Sequence, residues 1–165
     1  MLKLFRLILI LIGLSVLVMG GFFVYFNYFD QTPDYSANQL EILDTLGPPQ
    51  QFAITYLEQG SDDQRLVRQE SWFYPALGQK LSFLGGDLVQ NEEMEVQADY
   101  PATYLTPDLF DIYSTLDDIK LIVGEVNLAP LDLPVFSGEG IETYASKEAV
   151  FVFEQGYLMY VETIN

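Results

Sequence analysis

An apolar stretch without a single charge, residues 7–29, constrains the fold of this chain more than any other feature. As a helix these 23 residues would measure roughly 35 Å at about 1.5 Å per residue, enough to cross a hydrocarbon core of about 30 Å. Aromatic residues gather at its C-terminal end, and Lys3 and Arg6 precede it. The positive-inside rule then predicts a cytoplasmic N-terminus and an extracytoplasmic C-terminal domain. The sequence therefore predicts a single-pass protein of the cell membrane, with residues 1–30 as a cytoplasmic stub and a transmembrane helix.

A cleavable signal peptide is the alternative interpretation of this stretch. Val18 and Gly20 would be the small residues before the cleavage site. The apolar run continues for nine residues beyond Gly20, however, and is longer than the usual apolar region of a signal peptide. We therefore expect an anchor that contacts the membrane through residues 7–29.

The charge balance limits the partners of the chain. It has 24 Asp and Glu against 7 Lys and Arg, a formal net charge of -17. This balance argues against nucleic acid, because basic side chains must neutralise the phosphates. A charged partner is expected to be cationic.

The absence of His and Cys limits the chemistry. It excludes histidine acid–base catalysis, thiol nucleophiles, disulfides and thiolate zinc sites. Carboxylates alone identify no site, since 24 of them form many chance pairs. We assign no catalytic residue, no metal ligand and no small-molecule cofactor, and we expect a protein that is not an enzyme.

After a polar tether at residues 31–37, two segments repeat the same order of elements, 38–100 and 101–165. In the first, Leu40, Leu43 and Leu46 recur at a spacing of three and predict a helix from Ser36, which Gly47-Pro48-Pro49 ends. Strands are then predicted at 52–57, 67–74 and 80–84, and Gly85-Gly86-Asp87 turns into Leu88-Val89.

The second segment opens with Thr106-Pro107-Asp108, a pattern typical of a helix start. Apolar residues at helical spacing extend the predicted helix to Val123, and Gly124 ends it; they are Leu109, Ile112, Tyr113, Leu116 and Ile119. Strands are predicted at 141–145, 149–154 and 157–162, with turns at 146–148 and 155–156.

The two segments correspond at an offset of 70 positions. This offset aligns Tyr74 with Tyr144, Phe83 with Phe153, Gly86 with Gly156, and Leu88 with Leu158. The ordered match favours a shared supersecondary module. Chance agreement is the alternative, since Tyr, Phe and Gly are common in hairpins.

A family resemblance rests on the first segment. Leu46-Gly47-Pro48-Pro49, then Glu70-Ser71-Trp72-Phe73-Tyr74, then Lys80 to Val89 resemble the LG-x-P, W-x-Y and F-x-x-G-x-(L/V) motifs of the SmpA/OmlA (BamE) and β-lactamase-inhibitor-protein-like superfamily. The resemblance implies helical elements followed by an antiparallel sheet, in one copy or in tandem, and a protein that holds other proteins. The chain lacks the lipid-bearing Cys of the family's outer-membrane members, so their role is not transferred.

These observations predict an α+β fold, with an N-terminal transmembrane helix followed by two tandem units of short helix plus antiparallel sheet. The predicted function is a membrane-anchored, extracytoplasmic module that binds a protein partner or assists an envelope complex. The candidate partner surface consists of aromatic residues with a polar group, which suit interfaces: Trp72, Tyr74, Tyr144, Tyr157 and Tyr160. A core position for these rings is the alternative.

Two other functions remain open from the sequence. Glycoside hydrolysis needs only two carboxylates at the right separation, so a carboxylate-dependent glycan hydrolase is one alternative. A sensor of Ca²⁺ or polycations is the other, although the acidic clusters lack the EF-hand pattern.

Overall fold

The structure, a computed structural model, describes residues 35–59 and 65–164. Within these residues it has two α-helices, α1 (Ala37–Leu46) and α2 (Leu116–Val123). The same residues contain eight strands: β1 (Gln51–Gln59), β2 (Arg65–Tyr74), β3 (Gln79–Leu84), β4 (Asp87–Glu93), β5 (Ala129–Pro130), β6 (Ile141–Ala145), β7 (Ala149–Glu154) and β8 (Tyr157–Thr163).

The eight strands of the described residues form one antiparallel sheet in the order β4-β3-β2-β1-β8-β7-β6-β5. Its two central strands, β1 and β8, are far apart in sequence, and Ile54 lies opposite Val161 where they pair. The buried hydroxyl of Thr163 strengthens this pairing. It accepts a hydrogen bond from the Phe52 amide (2.8 Å) and donates one to the Phe52 carbonyl oxygen (3.1 Å).

The predicted fold class, an α+β protein of two tandem helix-plus-sheet units behind a transmembrane helix, is wrong. The described residues are mostly sheet, and the strands assigned to two units share one continuous sheet. Pairing β1 with β8 removes two edges that separate sheets would leave with unpaired backbone groups. The first two strands of the two segments also differ in length. Strands β1 and β2 have 9 and 10 residues, whereas β5 and β6 have 2 and 5.

The prediction of a single-pass membrane protein is likewise unsupported by the structure. No helix in residues 35–59 and 65–164 combines the length and apolar character needed to cross a bilayer. Residues 7–29, on which the prediction rests, lie outside the described residues. The extracytoplasmic location inferred from them stays a prediction.

Six of the strands were predicted to within two residues, whereas β4 extends four residues beyond the predicted Val89 and the short β5 was not predicted. β6 and β7 have the predicted bounds, and the turn at Gln155-Gly156 joins β7 to β8 as expected. In β8 the buried residues Leu158, Val161 and Thr163 alternate with more exposed ones apart from the bulge, whereas β7 is apolar on both faces from Ala149 to Phe153.

Helix α1 begins one residue after the predicted start at Ser36, because Ser36 is its N-cap. The Ser36 hydroxyl accepts a hydrogen bond from the Gln39 amide, and the Gln39 side chain accepts one from the Ser36 amide, which completes a capping box. The predicted apolar stripe is wrong at Leu40, which is 51% exposed. Gln39 is buried instead, since its side-chain amide donates a hydrogen bond to Glu70 (2.9 Å).

The second helix begins nine residues later than predicted. Thr106-Pro107-Asp108 leads only into a 3₁₀ turn at Pro107–Leu109, and the backbone of Phe110 is extended. Helix α2 starts after Thr115, which forms a capping box with Asp118.

Burial of Phe110 accounts for this difference. Its side chain is 0% exposed, and its ring lies 5.8 Å from Phe52 and 5.9 Å from Phe151. The gain from burying a phenylalanine, about 1.5–3 kcal/mol, exceeds the weak preference of short apolar segments for a helix.

One hydrophobic cluster of the described residues covers one face of the sheet. Alternate strand residues contribute to it, such as Phe52, Ile54 and Tyr56 on β1. Helix α2 adds the buried residues Ile119 and Val123, and half-buried residues of α1 pack against the cluster. Both helices therefore lie on this face, which we call the core face.

Candidate functional site

Trp72 and Tyr74, two of the five predicted partner residues, lie inside the core. They are 0% and 2% exposed. The Trp72 indole donates a hydrogen bond to Glu70 (2.9 Å), and the Tyr74 hydroxyl donates one to the Gly47 carbonyl oxygen (3.0 Å). Neither side chain offers a surface to a partner.

Tyr144 and Tyr160 are half-buried and lie on opposite faces of the sheet. The ring of Tyr144 meets Phe153 of the core edge-on. Tyr160 pairs with Val152 across the strands, and its ring lies 5.2 Å from that of Phe136. Both hydroxyls donate to carboxylates, that of Tyr144 to Glu142 and that of Tyr160 to Glu162.

Tyr157 is the predicted residue that the structure places in an open cavity. It is 51% exposed and lines a groove of about 580 Å³, which we call the tyrosine groove. The lining side chains come from β1, β2, the loop before α2 and the β7–β8 hairpin: Tyr56, Leu66, Ile112, Tyr113, Glu154, Gln155, Tyr157 and Met159. Of the five predicted residues, only Tyr157 belongs to this group.

The β7–β8 turn positions one wall of the groove. Gln155 and Gly156 have positive φ angles of 53° and 87°, as a tight two-residue hairpin turn requires. The Gln155 amide donates a hydrogen bond to the Gly140 carbonyl oxygen (2.9 Å), which ties the turn to the chain before β6. Met159 has no direct partner on β7, because the register shifts there, and the bulge turns its side chain toward the groove.

The loop before α2 forms a second wall of the groove. Its Ser114 side chain accepts a hydrogen bond from the Asp111 amide (2.9 Å), which closes a short turn that carries Ile112 and Tyr113. The Ser114 carbonyl oxygen accepts another from the Leu158 amide (2.9 Å) at the start of β8. Both walls are therefore joined by a backbone hydrogen bond.

Arg68 links Tyr56 of the groove to the neighbouring strand and loop. It forms an ion pair with Glu70 (2.8 Å), and its side chain is only 15% exposed. Its guanidinium donates hydrogen bonds to the Tyr56 hydroxyl (3.1 Å) and to the carbonyl oxygens of Pro107 and Phe110. A planar guanidinium with five N–H donors is suited to join a strand, a neighbouring tyrosine and a loop in this way.

The phenol of Tyr56 stays neutral at physiological pH. Burial raises its pKa to about 12, although the nearby Arg68 has the opposite effect. Burial works against the charge of Arg68, but its pKa is raised, because Glu70 and Tyr56 together outweigh the cost of burial through their attraction and hydrogen bonds. At the floor of the groove, the neutral ring of Tyr56 is therefore held in place by Arg68, whose charge is balanced by Glu70.

Three polar groups of the groove have no hydrogen-bond or ion-pair partner within the described residues. Tyr113 and Tyr157 are 67% and 51% exposed. Among the described residues, no hydrogen bond or ion pair engages the hydroxyl of either tyrosine or the carboxylate of Glu154. These three groups can therefore contact a ligand without breaking a bond within the protein.

Two smaller cavities differ from the groove in their lining. One, of about 450 Å³, lies between α1 and the strands β3 and β4 and is lined by Ile42, Leu46, Leu81 and Leu88 with several polar groups. The other, of about 240 Å³, lies beside Ser36 and Glu70. No group of three or more acidic side chains in the described residues is placed to hold a metal ion.

Sequence reasoning missed most of the groove. Ile112 and Tyr113 were assigned to a helix, and Tyr56 and Leu66 belong to strands whose neighbours were unknown. The sequence did indicate one part of the groove. Glu154 and Tyr157 flank the predicted Gln155-Gly156 turn, where side chains are usually exposed.

Comparison of the chain with family models, with curated proteins and with solved structures found no match.

Proposed function

We propose that the described domain is a protein-binding module and that the tyrosine groove is its contact site. The observation that carries this proposal is the convergence of three tyrosines, Tyr56, Tyr113 and Tyr157, from separate parts of the chain on one open groove. Aromatic residues and methionine are enriched at the centres of protein interfaces. A tyrosine offers a large apolar surface together with a hydroxyl, and few of its rotatable bonds must be ordered on binding.

The apolar residues beside the tyrosines support a macromolecular ligand. Leu66 is 37% exposed, and Ile112 and Met159 are half-buried along the same groove. Covering such side chains with a partner removes apolar surface from water, at about 25 cal/mol per Å². The resemblance to a superfamily of proteins that hold other proteins agrees with this function, and membership of that superfamily stays a proposal.

Site-specific photo-crosslinking tests this function. A photoreactive phenylalanine analogue replaces Tyr157 or Tyr113 in the full-length chain, which is produced in its own cells. Tyr104 is the matched control, because it is 60% exposed but lies near Glu148 at the other end of β7. We expect the same partner to be crosslinked from positions 157 and 113 and not from position 104.

The captured partner is then purified and its affinity measured. Tyr157→Ala and Tyr113→Ala should each weaken binding by about tenfold or more, as expected for central aromatic contacts of an interface. Tyr104→Ala should leave the affinity unchanged. If both groove variants bind the partner as tightly as the natural chain, the groove is not the contact site.

A further inference from the structure

We propose that the tyrosine groove recognises an arginine side chain presented by the partner protein. This inference rests on the proposed function and adds the chemistry of the recognised group. It follows from the charge of the chain, the free carboxylate of the groove and the arrangement of the aromatic side chains.

The charge of the protein favours a basic ligand. The chain has a formal net charge of -17, so a cation approaching it is attracted from a distance and an anion is repelled. Arg68, which donates a hydrogen bond to Tyr56 of the groove, is neutralised by Glu70 at 2.8 Å and held by backbone carbonyl oxygens. It therefore opposes a second guanidinium only weakly.

Glu154 is the acceptor that such a ligand would use. Three carboxylates on other strands have internal partners: Glu92 binds Lys80, Glu142 accepts from Tyr144, and Glu162 accepts from Tyr160. Within the described residues, the side chain of Glu154 makes no hydrogen bond or ion pair. A carboxylate can accept two parallel hydrogen bonds from a guanidinium, which gives both strength and orientation.

The tyrosines favour a guanidinium over other cations. Tyr113 and Tyr157 line the same groove as Glu154, and their exposed rings offer faces to a ligand. A flat guanidinium stacks on aromatic rings and keeps its edge free for a carboxylate, whereas an ammonium group acts as a point charge. The groove therefore offers an arginine both an aromatic ring on which its guanidinium can stack and a carboxylate that can accept its hydrogen bonds.

A pair of isosteric probes tests the inference on the full-length chain. N-acetyl-arginine methylamide and N-acetyl-citrulline methylamide have nearly the same shape, but only the arginine derivative is charged. Binding is followed through the NMR signals of the methyl groups of Met159 and Ile112 with ¹³C labelling. We expect the arginine probe to shift both signals in a saturable manner, with at least about tenfold higher affinity than the citrulline probe.

Two matched variants locate the charge. Glu154→Gln should reduce the affinity for the arginine probe about fivefold or more. Glu93→Gln makes the same change on β4 at the far edge of the sheet, where the side chain is exposed, and should leave the affinity unchanged. Equal affinities for the two probes, or equal effects of the two variants, would overturn the inference.

Failure of this inference is distinguishable from failure of the proposed function. If a partner is crosslinked from position 157 and Tyr157→Ala weakens its binding, the groove is a protein-binding site. If that partner then binds Glu154→Gln as tightly as the natural chain, arginine recognition is wrong while the proposed function stands.

Discussion

The β3–β4 and β7–β8 hairpins, 70 positions apart, have the same local geometry in different surroundings. Their strands have six and seven residues in each case. Both turns have positive φ angles, 58° and 87° at Gly85 and Gly86 against 53° and 87° at Gln155 and Gly156. Each register shifts one residue before a buried phenylalanine, Phe83 or Phe153.

The neighbours of the two hairpins differ. Strand β4 is an edge of the sheet and most of its side chains are exposed, whereas β8 lies between β1 and β7. The loop before α2 packs on the start of β8 and creates the tyrosine groove there. Local sequence thus determines the hairpin, while the segments packed around it determine its burial and its capacity to bind a ligand.

The largest expected difference in stability between the two hairpins comes from the leucine after each turn. Leu158 is 0% exposed and Leu88 is 42% exposed, although the two are 70 positions apart and of the same type. Leu158→Ala should lower the free energy of unfolding by about 2–5 kcal/mol, since it leaves a cavity in the core. Leu88→Ala should cost less than about 1 kcal/mol. Urea unfolding followed by the fluorescence of Trp72 measures both losses. Equal losses would show that the neighbouring segments do not change how much each leucine stabilises the fold.

The next largest difference in stability is expected for substitutions of the glycine at the second position of each turn. Gly86 and Gly156 share a φ of 87°, but a Cβ on Gly86 would lie 2.8 Å from the Cβ of Ser36, whereas one on Gly156 would meet nothing within 4 Å. Gly156→Ala should cost about 1–2 kcal/mol for its left-handed backbone. Gly86→Ala should cost more, because it also displaces the cap of α1. Thermal melting compares them, and a larger loss for Gly156→Ala would contradict the packing at Ser36.

Tyr160 on β8 should make the stability of the protein depend on pH above pH 10. Burial and the hydrogen bond to Glu162 raise the pKa of Tyr160 above its ordinary value of 10.0. Above pH 10 the unfolded chain loses this proton and the folded chain retains it, so stability present at lower pH is lost as the pH rises. Tyr160→Phe should therefore make the free energy of unfolding fall less steeply above pH 10.

The control for this measurement is Tyr104→Phe, which removes an exposed tyrosine. Part of the fall should persist in Tyr160→Phe, because burial raises the pKa of Tyr74 to about 12. If both variants show the slope of the natural chain, the contribution of Tyr160 is absent.

The ion pair on the edge hairpin should have the smallest effect. Lys80 and Glu92 are 2.8 Å apart and are 33% and 41% exposed, whereas the corresponding positions on the central hairpin are Val150 and Glu162. Lys80→Met should change the free energy of unfolding by less than about 1 kcal/mol. The change should shrink further in 1 M salt, where the screening length is about 3 Å. A loss that does not respond to salt would mean that Lys80 stabilises the hairpin by packing.

The strands were predictable because their pattern is local. Alternating apolar residues and a Gly turn indicate each hairpin within a few residues, and the bounds of β6 and β7 matched the prediction. The extent of α1 was also predictable to within one residue, because Gly47-Pro48-Pro49 ends the helix locally.

The second helix and the candidate site were not predictable in this way. The spacing of Ile112 and Tyr113 suited a helix, but Phe110 is drawn into a core built from residues that are about 40 to 60 positions distant along the chain. Of the five aromatic residues chosen as a partner surface, two are buried and one lines the groove. Composition identifies residues suited to an interface, but it does not show on which side of a sheet each one lies.

The sequence by itself determined the acidic charge, the lack of histidine and thiol chemistry, the hairpins with their turns, and the extent of the first helix, because these depend on composition or on a few adjacent residues. Only the tertiary structure decided that the strands form one sheet and that the tyrosine groove lies beside β8. The pairing of β1 with β8 and the burial of Phe110 are contacts between distant residues, and their free energy depends on which surfaces meet.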